Sequence, residues 1–174
     1  HLLGLYWDSQ LLSDGGKAII LIDNTYAGGL ASILENWGIK IRPPHQYAMP
    51  RNYVSTTAYG EHPVTRRMNN IMTVFSLPCC FETTSADPAS ERADKPRITP
   101  LVMIPENRIM ASSSEEGQCN PIALACELGG VALTGRSHNT KLVVMGDSEF
   151  ISNAMSQANL EGNTILFLSS IEWL

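Results

Sequence analysis

Apolar positions along the chain fall into runs of two periods. Lys17-Ala-Ile-Ile-Leu-Ile-Asp23 is a continuous aliphatic run ending in an acid, which predicts a central strand covered on both faces. Between Ala27 and Trp37 the residues Leu30, Ile33, Leu34 and Trp37 recur at helical spacing, and Gly38 stops the pattern. Ile39 to Ile41 adds a short strand before Pro43-Pro44, and Met72 to Leu77 another. Thr99 to Ile104 and Arg108 to Ala111 predict a strand, a turn at Pro105-Glu106-Asn107 and a second short strand. Ile122, Leu124, Cys126 and Leu128 alternate with small or polar residues, the period of a strand with two unlike faces. Lys141 to Met145 is the last clear strand, followed by a helix with Phe150, Ile151 and Ala154 on one face. A final helix from Asn163 carries Phe167, Leu168, Ile171 and Leu174 as its stripe, widened by Ile165, Leu166 and Trp173.

Helix and strand patterns that alternate in this way predict an α/β fold of three layers, a mainly parallel sheet with helices on both faces and some antiparallel edge strands. The polar stretches are connections in that scheme. His1 to Leu12 is a short apolar element closed by Ser13-Asp14-Gly15-Gly16. Arg42 to Asn70 reads as a long loop whose Tyr and Arg stems cover a sheet edge, with a face toward a ligand or a nucleic acid strand as the alternative. Within it, His62-Pro63-Val64-Thr65 predicts a turn and a short helix, because proline at the first helical position forfeits no hydrogen bond. Residues 82–97, Glu82 to Arg97, hold no large apolar residue and predict an exposed polar loop within a single domain spanning 1–174.

Composition narrows the function classes. A chain of 174 residues with 44% hydrophobic and 17% charged residues can bury one sizeable core without a staple. Its net charge of −5 disfavours nucleic acid and anionic lipid as partners. Cys79, Cys80, Cys119 and Cys126 form no Cys-x-x-Cys pair and read as buried thiols, with long-range pairing as the alternative. His1, His45, His62 and His138 are scattered singly, so no metal site is expected, and Gly28-Gly29 completes no phosphate-binding loop, so no cofactor is expected either. No apolar run is long enough to span a bilayer and no signal peptide opens the chain. A chain that starts at His1 is expected to be a piece of a longer protein.

The stretch Lys-Leu-Val-Val-Met-Gly-Asp-Ser-Glu-Phe-Ile-Ser-Asn-Ala, Lys141 to Ala154, carries the candidate chemistry. A Gly-Asp-Ser turn also opens a family of serine esterases, but there the serine follows the first strand and a histidine lies late in the chain. Here Gly146-Asp147-Ser148 follows the last strand and no histidine comes after it. No cysteine sits in a Gly-x-Cys-x-Gly elbow. A small serine or cysteine hydrolase is therefore the alternative reading. In the structural reading Asp147 or Ser148 caps the following helix, and Glu149 favours the positive end of its dipole. A third reading is a ligand crevice at strand carboxyl ends, lined by Asp23, Asp147, Ser148 and Glu149.

The order of several motifs adds an expectation. Gly-Gly-Lys-Ala-Ile-Ile-Leu-Ile-Asp, Leu-Glu-Asn-Trp-Gly-Ile and Glu-His-Pro-Val-Thr come first. Pro-Ile-Ala-Leu-Ala-Cys-Glu-Leu, Lys-Leu-Val-Val-Met-Gly-Asp-Ser-Glu-Phe-Ile-Ser-Asn and Asn-Thr-Ile-Leu-Phe-Leu-Ser-Ser-Ile-Glu-Trp-Leu close the chain. Together, over most of 12–174, they resemble the soluble domain of ABC-type transport-system auxiliary components, the gliding-motility-type proteins and their uncharacterised relatives. The resemblance implies a flavodoxin-like or class I glutamine amidotransferase-like fold without the nucleophile. It further implies a non-catalytic binding or scaffolding role beside ABC-transporter membrane or permease subunits. An extracytoplasmic, periplasmic domain anchored by flanking membrane helices in an inner-membrane protein is implied as well. The polar insertion at Glu82 to Arg97 has no counterpart in the family pattern.

Overall fold

The computed structural model describes residues 15–23, 29–42, 53–83, 96–104, 121–131, 137–152 and 161–174. The predicted element at His1 to Leu12, the strand at Arg108 to Ala111, Cys119, and most of the polar loop lie outside them. Among the described residues strands dominate. They are β1 (Lys17–Leu21), β2 (Ile39–Arg42), β3 (Tyr53–Thr56), β4 (Ala58–Tyr59), β5 (Thr73–Ser76), β6 (Cys80–Thr83), β7 (Arg97–Met103), β8 (Pro121–Val131) and β9 (Ser137–Met145). Helices are α1 (Leu30–Asn36) and α2 (Glu161–Trp173), with a 3-10 turn at Pro63–Thr65.

Five strands form the main sheet in the order β1-β9-β8-β7-β4. Only β1 and β9 run parallel, Lys17 opposite Lys141 through Leu21 opposite Met145. The β9-β8, β8-β7 and β7-β4 junctions are all antiparallel. This overturns the predicted three-layer, mainly parallel α/β fold, and with it the flavodoxin-like or glutamine amidotransferase-like architecture. Antiparallel pairs make up the middle of the sheet rather than its margin, and β1, predicted central, ends the described sheet. The physical reason is that a continuous apolar run reports burial on two faces and nothing about strand direction.

Both faces of the sheet are indeed covered. On β1, β8 and β9 side chains alternate between two cores, Ile20, Leu124, Cys126, Leu142 and Val144 on one side, Ala123, Ala125, Val143 and Met145 on the other. The first face packs against α1 and the β2-β6 ribbon through Leu34, Trp37, Ile39 and Phe81. The second packs against α2, the 3-10 turn and the β3-β5 ribbon through Leu166, Val64, Val54 and Phe75. Each fully buried aliphatic or aromatic side chain in these cores contributes about 1.5–3 kcal/mol. The α1 stripe is as predicted, with Leu34 and Trp37 buried and Gly38 at φ 76° ending the helix in the left-handed region.

Three other expectations shift. The long loop from Arg42 to Asn70 contains β3 and β4, whose mixture of hydroxyl and aromatic residues hid a strand period. The polar segment is shorter than 82–97, since Glu82 and Thr83 belong to β6 and Arg97 opens β7. The buried face of α2 is Gly162, Asn163, Leu166, Ser169 and Ser170, whereas Leu168 and Ile171 of the predicted stripe stand 51% and 49% exposed. Glycine and short polar residues face inward there because the helix backbone lies directly on β5. A Cβ on Gly162 would fall 2.0 Å from the Met72 carbonyl oxygen. No described helix is long and apolar enough to cross a membrane.

Candidate functional site

The Gly146-Asp147-Ser148 turn leaves the carboxyl end of β9 and is fixed by backbone first. Gly146 N–H donates to Ile122 O at 2.8 Å, and its carbonyl accepts from Cys79 N–H at 2.8 Å and Cys79 Sγ at 3.4 Å. The approach leaves no room for a side chain, since a Cβ on Gly146 would stand 2.0 Å from the Cys79 carbonyl oxygen. Asp147 follows, 3% exposed. Its Oδ1 accepts from Glu149 N–H at 2.8 Å, as a capping aspartate would, and its Oδ2 accepts from Ser76 N–H on β5 at 2.6 Å. Burial raises the Asp147 carboxyl above the usual carboxylate range, against the backbone N–H groups of Ser76, Glu149 and Phe150, which favour the charged form.

Asn163, at the start of α2 and 2% exposed, does the same work one pair of residues earlier along β5. Its Oδ1 accepts from Val74 N–H at 2.9 Å, while Nδ2 donates to Val74 O at 2.8 Å and to Phe150 O at 2.7 Å. Among the described residues β5 pairs with a strand along one edge only, that of β3. Asp147 and Asn163 therefore occupy its other edge as a neighbouring strand would, matching backbone donors and acceptors that would otherwise be buried without partners. The stacked rings of Phe75 and Phe150, 5.4 Å apart, close the apolar side of the same junction. Sequence reasoning read Asp147 as a local cap and missed Asn163, because the partner strand lies 71 and 89 residues away in the chain.

The four predicted ligand residues divide accordingly. β1 and β9 are parallel neighbours, so Asp23 and the 147–149 turn leave the sheet at the same carboxyl end. Asp23 and Glu149 are exposed there and Ser148 is half-buried, while Asp147 is buried with both oxygens bonded to backbone. Residues 148–152 form turns, closed by Ser152 N–H to Glu149 O at 2.8 Å, and the rest of the predicted helix, with Ala154, lies outside the described residues. For Ser148 to act as a nucleophile it needs a base within reach. His138 lies at the amino end of β9, seven residues before Met145, roughly 23 Å away at about 3.3 Å per residue. His62 lies against Trp173, whose ring also carries Lys141 Nζ, toward the amino-terminal half of β9.

Cys79, Cys80 and Cys126 are buried, as the sequence suggested, and burial pushes the Cys126 thiol up, which keeps it protonated and unreactive. Among the described residues no group of His, Cys, Asp and Glu is arranged to hold a metal ion.

A separate opening lies in the segment between β3 and β5. An open hollow of about 720 Å³ is lined by Thr57, Tyr59, Glu61, His62, Arg66 and Asn69, with Gly60, Pro63, Thr65 and Asn70 completing the wall. His62 Nδ1 accepts from Val64 N–H at 3.3 Å, its ring meets Trp173 edge-on at 4.7 Å, and burial lowers its pKa, assisted by Arg97, Lys141 and Arg66 and opposed by Glu127. The ring is thus held neutral with Nε2 carrying the hydrogen. No family model and no curated protein matches the chain. The resemblance to transporter auxiliary components stays an expectation from motif order.

Proposed function

We propose that the chain is a non-catalytic binding or scaffolding domain whose ligand surface is the polar hollow beside the 3-10 turn. The observation that carries this reading is the division of polar groups in the molecule. The Asp147 carboxylate at the Gly-Asp-Ser turn is consumed by backbone N–H groups of Ser76 and Glu149, whereas Glu61, Arg66, Asn69 and Asn70 around the hollow are exposed. Spare polar side chains on a rigid concave surface are what recognition requires. The crevice at the carboxyl ends of β1 and β9, with Asp23, Ser148 and Glu149 around the bonded Asp147, is the second place to seek a ligand, supported by the parallel register of those strands.

The partner this reading names is an ABC-transporter membrane or permease subunit, and its compartment is extracytoplasmic. Both rest on the ordered motifs alone, since the architecture the resemblance implied is not the one this chain adopts. Three measurements test the proposal. Copurification from membranes that carry the parent protein should bring down a permease subunit, and its consistent absence would remove the transporter connection. A panel of acyl esters should show no turnover that depends on Ser148. Replacing Ser148 with Ala should leave stability within about 0.5 kcal/mol, as for a residue outside the bonded network of Asp147 and Asn163. Ester turnover lost in Ser148→Ala would establish the hydrolase instead.

A further inference from the structure

We infer that the hollow takes a neutral, polyhydroxylated ligand, a saccharide, set on the Tyr59 ring and hydrogen-bonded by Glu61, Arg66 and the amide side chains of Asn69 and Asn70. The inference deepens the binding reading above and rests on it. Residues 57–72 leave β3 at Thr56 and return to β5 at Thr73, which are direct partners in that ribbon. The segment is stapled from within. Thr65 Oγ1 donates to Gly60 O at 2.6 Å, Met68 N–H to Thr65 O at 2.9 Å and Ile71 N–H to Met68 O at 3.0 Å. Tyr59 Oη donates to Ile71 O at 2.6 Å and lies 3.0 Å from Thr73 Oγ1. The phenol hydroxyl is therefore spent inside the loop, and what Tyr59 can offer the hollow is its ring.

The charges decide the ligand class. Arg42 and Arg67 are bound to Glu82 and Glu172 at 2.8 and 2.9 Å, but no ion pair joins Glu61 or Arg66 to another described residue. An anion meets Glu61, a cation meets Arg66, and a wholly apolar ligand would cover Tyr59 and Pro63 while leaving Glu61, Arg66, Asn69 and Asn70 without partners. Sugar hydroxyls each donate and accept, so they satisfy a carboxylate, a guanidinium and two carboxamides together, while the C–H face of the ring packs on an aromatic.

The test is amide NMR of the protein titrated with maltose, N-acetylglucosamine, glycine and acetate, each to millimolar excess. Either saccharide should shift the amides of residues 57–70 saturably. Glu61→Gln should weaken that binding about tenfold, the loss of one hydrogen bond to a charged group, and Asn69→Ala should weaken it as well. Both side chains are exposed, so thermal melting of each variant should match the parent and show that the fold persists. Shifts with glycine or acetate but neither sugar would overturn the saccharide while leaving a binding module standing. Saturable sugar shifts away from 57–70, or unchanged affinity in both variants, would overturn the site. Silence from all four probes would overturn the inference, and the copurification above would then decide the broader reading separately.

Discussion

Asn163 bears more of the fold than any helix-periodicity argument assigns it, and its replacement gives a sharp test of the β5 edge. Asn163→Ala removes three hydrogen bonds at a site 2% exposed, orphaning Val74 N–H, Val74 O and Phe150 O. A buried donor left without a partner costs about 1–3 kcal/mol and a typical lost hydrogen bond about 0.5–1.5 kcal/mol. Against this, alanine gains roughly 0.6 kcal/mol of helix propensity over asparagine. The expected loss is about 2.5–4 kcal/mol, read as a fall in urea midpoint at unchanged m-value. Asn163→Asp separates shape from hydrogen-bond direction. One oxygen still accepts from Val74 N–H, but the other faces two carbonyl oxygens at Nδ2 distances of 2.8 and 2.7 Å. The variant folds best when that carboxyl is protonated and donates, so its folded-state pKa lies above the unfolded value. Its stability relative to the parent should therefore be closest below the unfolded pKa, about 3.9, and should fall as pH rises through the folded-state value. An acid in the first helical turn gains only about 0.3–1 kcal/mol from the dipole, too little to cancel the repulsion. A loss under about 1 kcal/mol in Asn163→Ala, or a pH-independent deficit in Asn163→Asp, would refute the reasoning.

Asp147 should leave its own signature in the parent. Its folded-state pKa is raised by burial, so the stability it contributes is fully present below the unfolded aspartate pKa, about 3.9, and is lost as pH rises through the folded value. Urea titrations across that range should show the slope, and Asp147→Asn should abolish it while costing about 1–3 kcal/mol at neutral pH by turning an amide toward a backbone N–H. Gly162→Ala should reverse the usual sign. Helix propensity predicts a gain of about 1 kcal/mol, but the contact with Met72 O predicts a net loss of about 1–3 kcal/mol in chemical denaturation. Ser169 Oγ is buried without a hydrogen-bond partner among the described residues, so Ser169→Ala should raise stability by about 1 kcal/mol.

Much of the local structure was legible in the residues themselves. The stripe Leu30, Ile33, Leu34 and Trp37 with Gly38 behind it made α1, the His62-Pro63 pair opened the 3-10 turn, and the aliphatic runs at Lys17–Leu21 and Lys141–Met145 are strands buried from two sides. The buried state of Cys79, Cys80 and Cys126 followed from the general preference of cysteine for the interior. β3 and β4 were hidden inside a polar stretch, because Thr56 and Tyr59 are held by side-chain bonds to Met103 O and Ile71 O rather than by an apolar period. Leu168 and Ile171 misdirected the reading of α2, since periodicity ranks faces by hydrophobicity while the real docking face is chosen by how closely a backbone can approach.

What the sequence determined by itself is therefore the list of segments that prefer strand or helix, and which of them must be buried, because those preferences are set by residues within a few positions of each other. Strand direction, the mixed β1-β9-β8-β7-β4 order and the role of Asp147 and Asn163 were decided only in the folded chain. Each depends on which backbone N–H and C=O groups are left open by a distant strand. β5 leaves one edge unpaired, and the Gly-Asp-Ser turn that looked like chemistry is the side chain that closes it.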